Sequence, residues 1–350
     1  MSRTVKHFSL HRLEGLYPPG GTELRVVSDL EAEVSPVIAV EEGVLRGYMA
    51  RAPWPHRSVT LFLLQDLAPL VGQVDTRAGL PPGGAAGLDQ RPVVNAYDLA
   101  DLSSCHVFVN WRVMRAEGYT EDPLLLEGLL AHEHAHPLAE YPTAAASRRL
   151  RTELSVRDWP ALPAEAGDQQ ARLQGLLSVL ADTLCLAAPR EVFASELAIR
   201  RGFGAALFHL DRRNLANAQE GLEGRAQLRA QLWHAVAQGR LSAEGAEILL
   251  LIGDLQGYLD LSLEIAAFYR AECVEEAQDL ERVLETKIFP RLQPGVPEVY
   301  TALRAHYVAL EPGLAPAELL GWSQEVLATL AASLAPSGLT VNYALHLNDT

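Results

Sequence analysis

The sequence predicts an α+β protein: a small sheet with its helices in the first part of the chain, then a mostly α-helical C-terminal region. Three observations carry this expectation. Short apolar runs at 34–40 and 59–64 sit within residues 22–75 and suggest strands and a helix around a small sheet. His106, Phe108 and Asn110 alternate with Val107 and Val109, the period of a strand with one buried face. From Gln169 onward the pattern is nearly all helical, with apolar residues at helical spacing in 241–270, 272–288, 298–310 and 315–334. At 350 residues the chain is long enough for two domains, expected at 1–205 and 206–350.

The elements follow in order. After the 22–75 region, the stretch 80–87 (Leu-Pro-Pro-Gly-Gly-Ala-Ala-Gly) reads as a loop, more simply a surface turn than a lid. Asp122-Pro123 supplies an N-cap and a proline at the first helical position. The apolar run 124–130, broken only by Gly128, continues it as a buried helix. Pro137 is expected to stop or kink that helix. Residues 157–167, with Trp159, Pro160 and Pro163, read as a connection, and Pro189 opens another helix. The alternation in 339–347 predicts a terminal strand.

The helix opened by Pro123 carries His132-Glu133-His134-Ala135-His136, an H-E-x-x-H pattern. Residues i and i+4 lie one turn apart on one face, so His132 and His136 can present two imidazoles to one metal ion. Glu133 beside them can take a proton from a water at that ion. His134 lies about 200° around the helix from His132, so it cannot share the metal and reads as a structural or second-site histidine. Gly128 precedes His132 by one turn, where a missing side chain lets another segment approach.

Catalytic zinc generally takes three protein ligands and leaves a fourth position open. The best third candidate is Glu191, in the helix opened by Pro189, with Ser195 one turn later to orient a ligand. Asp182, Glu196 and His209 compete with it. Two histidines and a carboxylate suit zinc (Zn2+).

Together, Asn95-Ala96-Tyr97, His106-Val107-Phe108-Val109-Asn110, the H-E-x-x-H helix and Glu191-Val192-Phe193-Ala194-Ser195-Glu196-Leu197-Ala198 resemble the core of the gluzincin zinc metallopeptidases. The likeness is to the HtpX and CAAX-prenyl-protease group and to minimal gluzincins, with a downstream segment similar to that of ImmA/IrrE-type peptidases. It covers residues 90–205. The resemblance implies zincin-type active-site helices, zinc on His132, His136 and Glu191, and Glu133 as general base. It also implies that 106–110 is an edge strand along which an extended peptide adds. The chain departs from these families at Ser195, where they carry Asp or Asn. Tyr97, Tyr141, Arg200 and His209 are the candidate oxyanion donors.

Composition limits the partners. A net charge of −15 and a pI near 5.2 argue against broad nucleic-acid binding, which needs a basic face. The N-terminus holds no apolar signal region and no segment has the 18 or so apolar residues of a bilayer span, so a cytoplasmic protein without membrane insertion is expected. Cys105, Cys185 and Cys273 lack metal-ligand spacing and are expected to pack in the core. The expected function is zinc-dependent hydrolysis of a peptide or protein substrate, endopeptidase more than exopeptidase. The alternative is a weakly active or inactive gluzincin-like scaffold whose helical half recognises a protein partner.

Overall fold

The apolar alternation at 59–64 belongs to β3 (Ser58–Leu64), the middle strand of a five-stranded sheet. In this computed structural model, which describes residues 5–51, 53–68, 90–140, 150–157 and 167–347, the chain is α+β. It forms two units, Met1–Tyr141 with Leu197–Leu210, and Pro142–Glu196 with Asp211–Thr350. The boundary expected between 205 and 206 falls within the Leu197–Leu210 segment of the first unit. The loop expected at 80–87 lies outside the described residues.

The sheet of the first unit also contains β1 (His7–Leu13), β2 (Thr22–Ser28), β4 (Val93–Asp98) and β5 (Asp101–Asn110), in the order β1-β2-β3-β5-β4. The β1/β2 and β4/β5 pairs are antiparallel; β2/β3 and β3/β5 are parallel. Register aligns Val26 with Leu61 and Leu61 with Val107, all fully buried on one face. The strand expected at 106–110 is the end of β5, and the expectation that it is a sheet edge is corrected. It pairs on both sides, and among the described residues the edge is β4, which carries Asn95-Ala96-Tyr97. Alternation in the sequence reports one buried face but not which flank of a strand is open, because both kinds of strand bury a face the same way.

Helix α1 (Ser35–Met49) takes up the 34–40 run from residue 35, with Val34 at its N-cap; its buried face, Val37, Ile38, Glu41, Val44, Leu45 and Tyr48, has the three-and-four spacing of a helix. After β5 come the short α2 (Trp111–Ala116) and then α3 (Pro123–Glu140), which packs against α1. Asp122 caps α3 as expected: its Oδ1 accepts the Leu124 and Leu125 N–H groups, each at 3.1 Å. A Cβ on Gly128 would lie 2.5 Å from the Ala206 carbonyl oxygen, so the absent side chain does admit another segment.

Of the two outcomes expected at Pro137, a stop directly after His136 is corrected, since the helix runs on to Glu140 with Pro137 inside it. Proline lacks the N–H that would bond the carbonyl four residues back, which is that of Glu133. Asn95 on β4 fills the gap: its Nδ2 donates to Glu133 O at 2.5 Å. One side chain from the sheet edge therefore replaces the missing backbone bond. Asn95→Ala is expected to cost about 1–3 kcal/mol in urea unfolding, the range for stranding a buried polar group. A loss below roughly 0.5 kcal/mol would show that the contact carries no stability.

In the second unit β6 (Leu150–Arg157) pairs antiparallel with β7 (Thr340–Leu347), the terminal strand the sequence anticipates; its partner β6 was not anticipated. The helices are α4 (Gly167–Asp182), α5 (Ala188–Ala198), α6 (Gly204–Ala237), α7 (Ala243–Glu264), α8 (Ala266–Arg270), α9 (Val274–Val283), α10 (Gly295–Val308) and α11 (Pro316–Leu334). α5 enters the first unit at Leu197, the chain turns at Gly202 with φ 107°, and α6 returns to the second unit at Asp211. Buried polar bonds tie the helices: Arg225 binds Asp254 through two hydrogen bonds of 2.6 and 2.8 Å, and Tyr307 donates to Leu184 O at 2.6 Å. Among the described residues, no helix is long and apolar enough to cross a membrane.

Candidate metal centre

Helix α3 sets the first two candidate ligands. His132 and His136 stand one turn apart with ring centroids 4.7 Å apart and planes perpendicular. His136 is 8% exposed. His132 and Glu133 are half-buried.

The opposite face of α3 fixes its rotation. His134 points away from the pair, as its helical angle requires, and its Nε2 lies 2.8 Å from Glu41 Oε1 on α1. Both side chains are fully buried. Tyr48, about two turns further along α1, donates its hydroxyl to Ala131 O at 2.6 Å. Burial pushes the Tyr48 hydroxyl well above the ordinary tyrosine range, so it stays a donor. Trp54 packs edge-on to His134 at 5.8 Å and to His56 at 4.6 Å. Burial lowers His56 to about 4, so near neutral pH that ring is uncharged while its Nδ1 faces the Leu102 carbonyl. The α1 contacts thus hold the back of the helix, opposite the His132–His136 face.

Glu191 sits half-buried in the first turn of α5 after Pro189. Ser195, one turn on, is buried at 3% exposure. The α5 helix is anchored within the second unit by Arg270, which binds Glu196 at 2.7 Å and stacks over the Phe193 ring at 5.1 Å. The same guanidinium donates to the Val308 carbonyl at 3.1 Å and to that of Leu310, beyond the last turn of α10.

One ligand atom each from His132, His136 and Glu191 lie within 4.8 Å of one another, and among the described residues no other set of three His, Cys, Asp or Glu does so. Two imidazoles and a carboxylate are a donor set that zinc accepts with a position left open.

The competing ligands are accounted for elsewhere or fall outside the group. Glu196 pairs with Arg270, and His209 Nε2 lies 2.7 Å from Asp122 Oδ2. The His209 contact holds the Asp122 carboxyl below the usual range. Asp182, at the end of α4, is not part of this group of three. Of the candidate oxyanion donors, Tyr97 is buried on β4, Arg200 is exposed, His209 faces Asp122, and Tyr141 lies outside the described residues. None of the three cysteines is in a disulfide; Cys105 and Cys185 are buried, and burial pushes the Cys185 thiol up to about 12.

Sequence reasoning missed the contacts that Glu41 and Asn95 make with α3. Glu41 had a signal: a carboxylate on the helical stripe of Val37, Ile38, Val44 and Leu45 needs a buried partner. Asn95 had a fainter one in the carbonyl that Pro137 leaves unbonded. Comparisons with protein-family models, with curated proteins and with solved structures find no match.

Proposed function

We propose that the chain is a zinc-dependent metallopeptidase of the gluzincin type, cleaving peptide or protein substrates internally. The observation that carries the reading is the His132–His136–Glu191 grouping with Glu133 on the adjacent helical position. A zinc ion held there would polarise a peptide carbonyl and make a nearby water more acidic. Glu133 would accept the proton of the attacking water and deliver it to the leaving amine, a role that needs a carboxylate within reach of both. The α1 contacts to His134 and Ala131 keep the two imidazoles aimed, so little reorganisation is needed at the reaction. As the sheet's edge, β4 has backbone N–H and C=O groups to which an extended peptide can add as a further strand. Such docking reads the middle of a chain rather than its end, which favours endopeptidase action. The acidic charge supports a peptide-directed protein without nucleic acid as partner, acting in the cytoplasm, and none of the described helices is long and apolar enough to cross a membrane.

The metal assignment has a direct test. The purified protein is expected to bind about one zinc per chain by elemental analysis, and Glu191→Ala to weaken zinc by at least ~10–100-fold, a loss of the size that even outer-sphere changes produce. If Asp182→Ala releases the metal while Glu191→Ala retains it, the third ligand is Asp182 and the reading of the site is wrong.

A further inference from the structure

The edge strand β1, remote in sequence from the H-E-x-x-H helix, carries His7, Ser9 and His11 on one face, since alternate residues of a strand point the same way. Their side chains form one hydrogen-bonded line. His7 Nε2 lies 3.3 Å and His11 Nε2 2.8 Å from Ser9 Oγ. On its other side His11 Nδ1 lies 2.7 Å from Glu42 Oε1 of α1, and Glu42 Oε2 accepts from Arg46 at 3.1 Å.

The chemistry of the ends sets the direction of each proton. A carboxylate only accepts, so His11 carries its proton on Nδ1, and Nε2 of the neutral ring is left as an acceptor. The Ser9 hydroxyl then donates to His11, and its oxygen accepts from His7 Nε2–H. A hydroxyl, an imidazole in the tautomer that can take its proton, and a carboxylate that holds that tautomer are the parts of an activated serine, recognised by geometry and role rather than by sequence order.

We propose that Ser9, His11 and Glu42 form a second, metal-independent nucleophilic site that takes the acyl group of small esters. Exposure favours small substrates in solution: Ser9 is half-buried, and the His11 and Glu42 side chains are 30% and 24% exposed. Among the described residues β1 bonds only to β2, so alternate backbone N–H groups face that edge, either that of Ser9 or those of its two neighbours. Such a group beside Ser9 can receive the negative charge of a carbonyl oxygen under attack. In the first step Ser9 Oγ bonds to the ester carbonyl carbon while its proton passes to His11 Nε2. The adduct then expels the alcohol, which leaves with that proton. A water molecule repeats the sequence on the acyl-serine, giving its proton to His11 and its oxygen to the acid, and Ser9 recovers its hydrogen. Glu42 is a positioning residue that orients His11.

The test uses the full chain with a metal chelator present, p-nitrophenyl acetate as the ester and a fluorophosphonate as a serine probe. A burst of about one nitrophenol per chain is expected, with one acetyl group on the peptide that contains Ser9, and phosphonylation of the same residue with loss of fluoride. Ser9→Ala should abolish both, and His11→Gln should slow acylation by ~10²–10⁴-fold, the usual contribution of a general base. Glu42→Gln should lower kcat with KM unchanged and the unfolding temperature unmoved, a pattern that a purely structural role does not produce. The proposal is overturned if wild-type protein carries no label at Ser9, if the acetyl group sits only on amines, or if His11→Gln reacts as fast as wild type.

Discussion

Glu133→Gln is expected to lose ~10²–10⁴-fold in kcat/KM on a diverse peptide pool, about 3–5 kcal/mol of transition-state stabilisation, while keeping its metal and its fold. The amide matches the carboxylate in shape but cannot accept a proton from water. Three measurements decide the matter: hydrolysis under zinc-replete conditions, metal content, and thermal unfolding. Loss of zinc in this variant would make Glu133 a ligand or structural group. Wild-type protein that cleaves nothing in such a pool would favour the inactive scaffold over the peptidase.

His134→Ala is expected to destabilise the protein by about 3–5 kcal/mol, the cost of leaving one half of a buried polar pair without its partner. Glu41 Oε1 then faces a cavity where the imidazole stood, with no other partner for that oxygen and no water-exposed surface on either side chain. Glu41→Gln is expected to cost far less, because the amide oxygen still accepts from His134 Nε2–H. Chemical denaturation of the two variants separates these costs. A His134→Ala loss below roughly 1 kcal/mol would show that the pair contributes little to the fold. Any residual folded His134→Ala should still bind zinc, since His134 faces away from the other two histidines.

The sequence carried the parts of this protein that repeat locally. The caps and apolar run of α3 were legible because Asp122, Pro123 and Leu124–Leu130 act through neighbours a few residues away. The pairing of His132 with His136 was legible because helical geometry alone brings i and i+4 together. Long-range partners were not. Whether β5 or β4 forms the sheet edge depends on pairings between strands far apart in sequence, and no local period encodes them. That His134 meets Glu41 was hidden for the same reason: 93 residues separate them, and only the packing of α1 on α3 joins them. Pro137 misled because the local rule is sound in isolation, whereas Asn95 supplies from the sheet what proline withholds.

The first unit is completed by Leu197–Leu210, a stretch that follows 55 residues of the second unit, Pro142–Glu196. Within it Phe203 fills the space above Gly47, where a Cβ would lie 2.5 Å from its ring, and Ala206 closes over Gly128. During synthesis the sheet, α1 and α3 therefore emerge from the ribosome well before the piece that seals them. At about 5–20 residues per second, the face of α3 around Gly128 waits several seconds, uncovered, for residues 197–210 to follow. A nascent chain stalled before that point presents unsealed apolar surface to chaperones, and a fragment ending at Tyr141 presents it permanently.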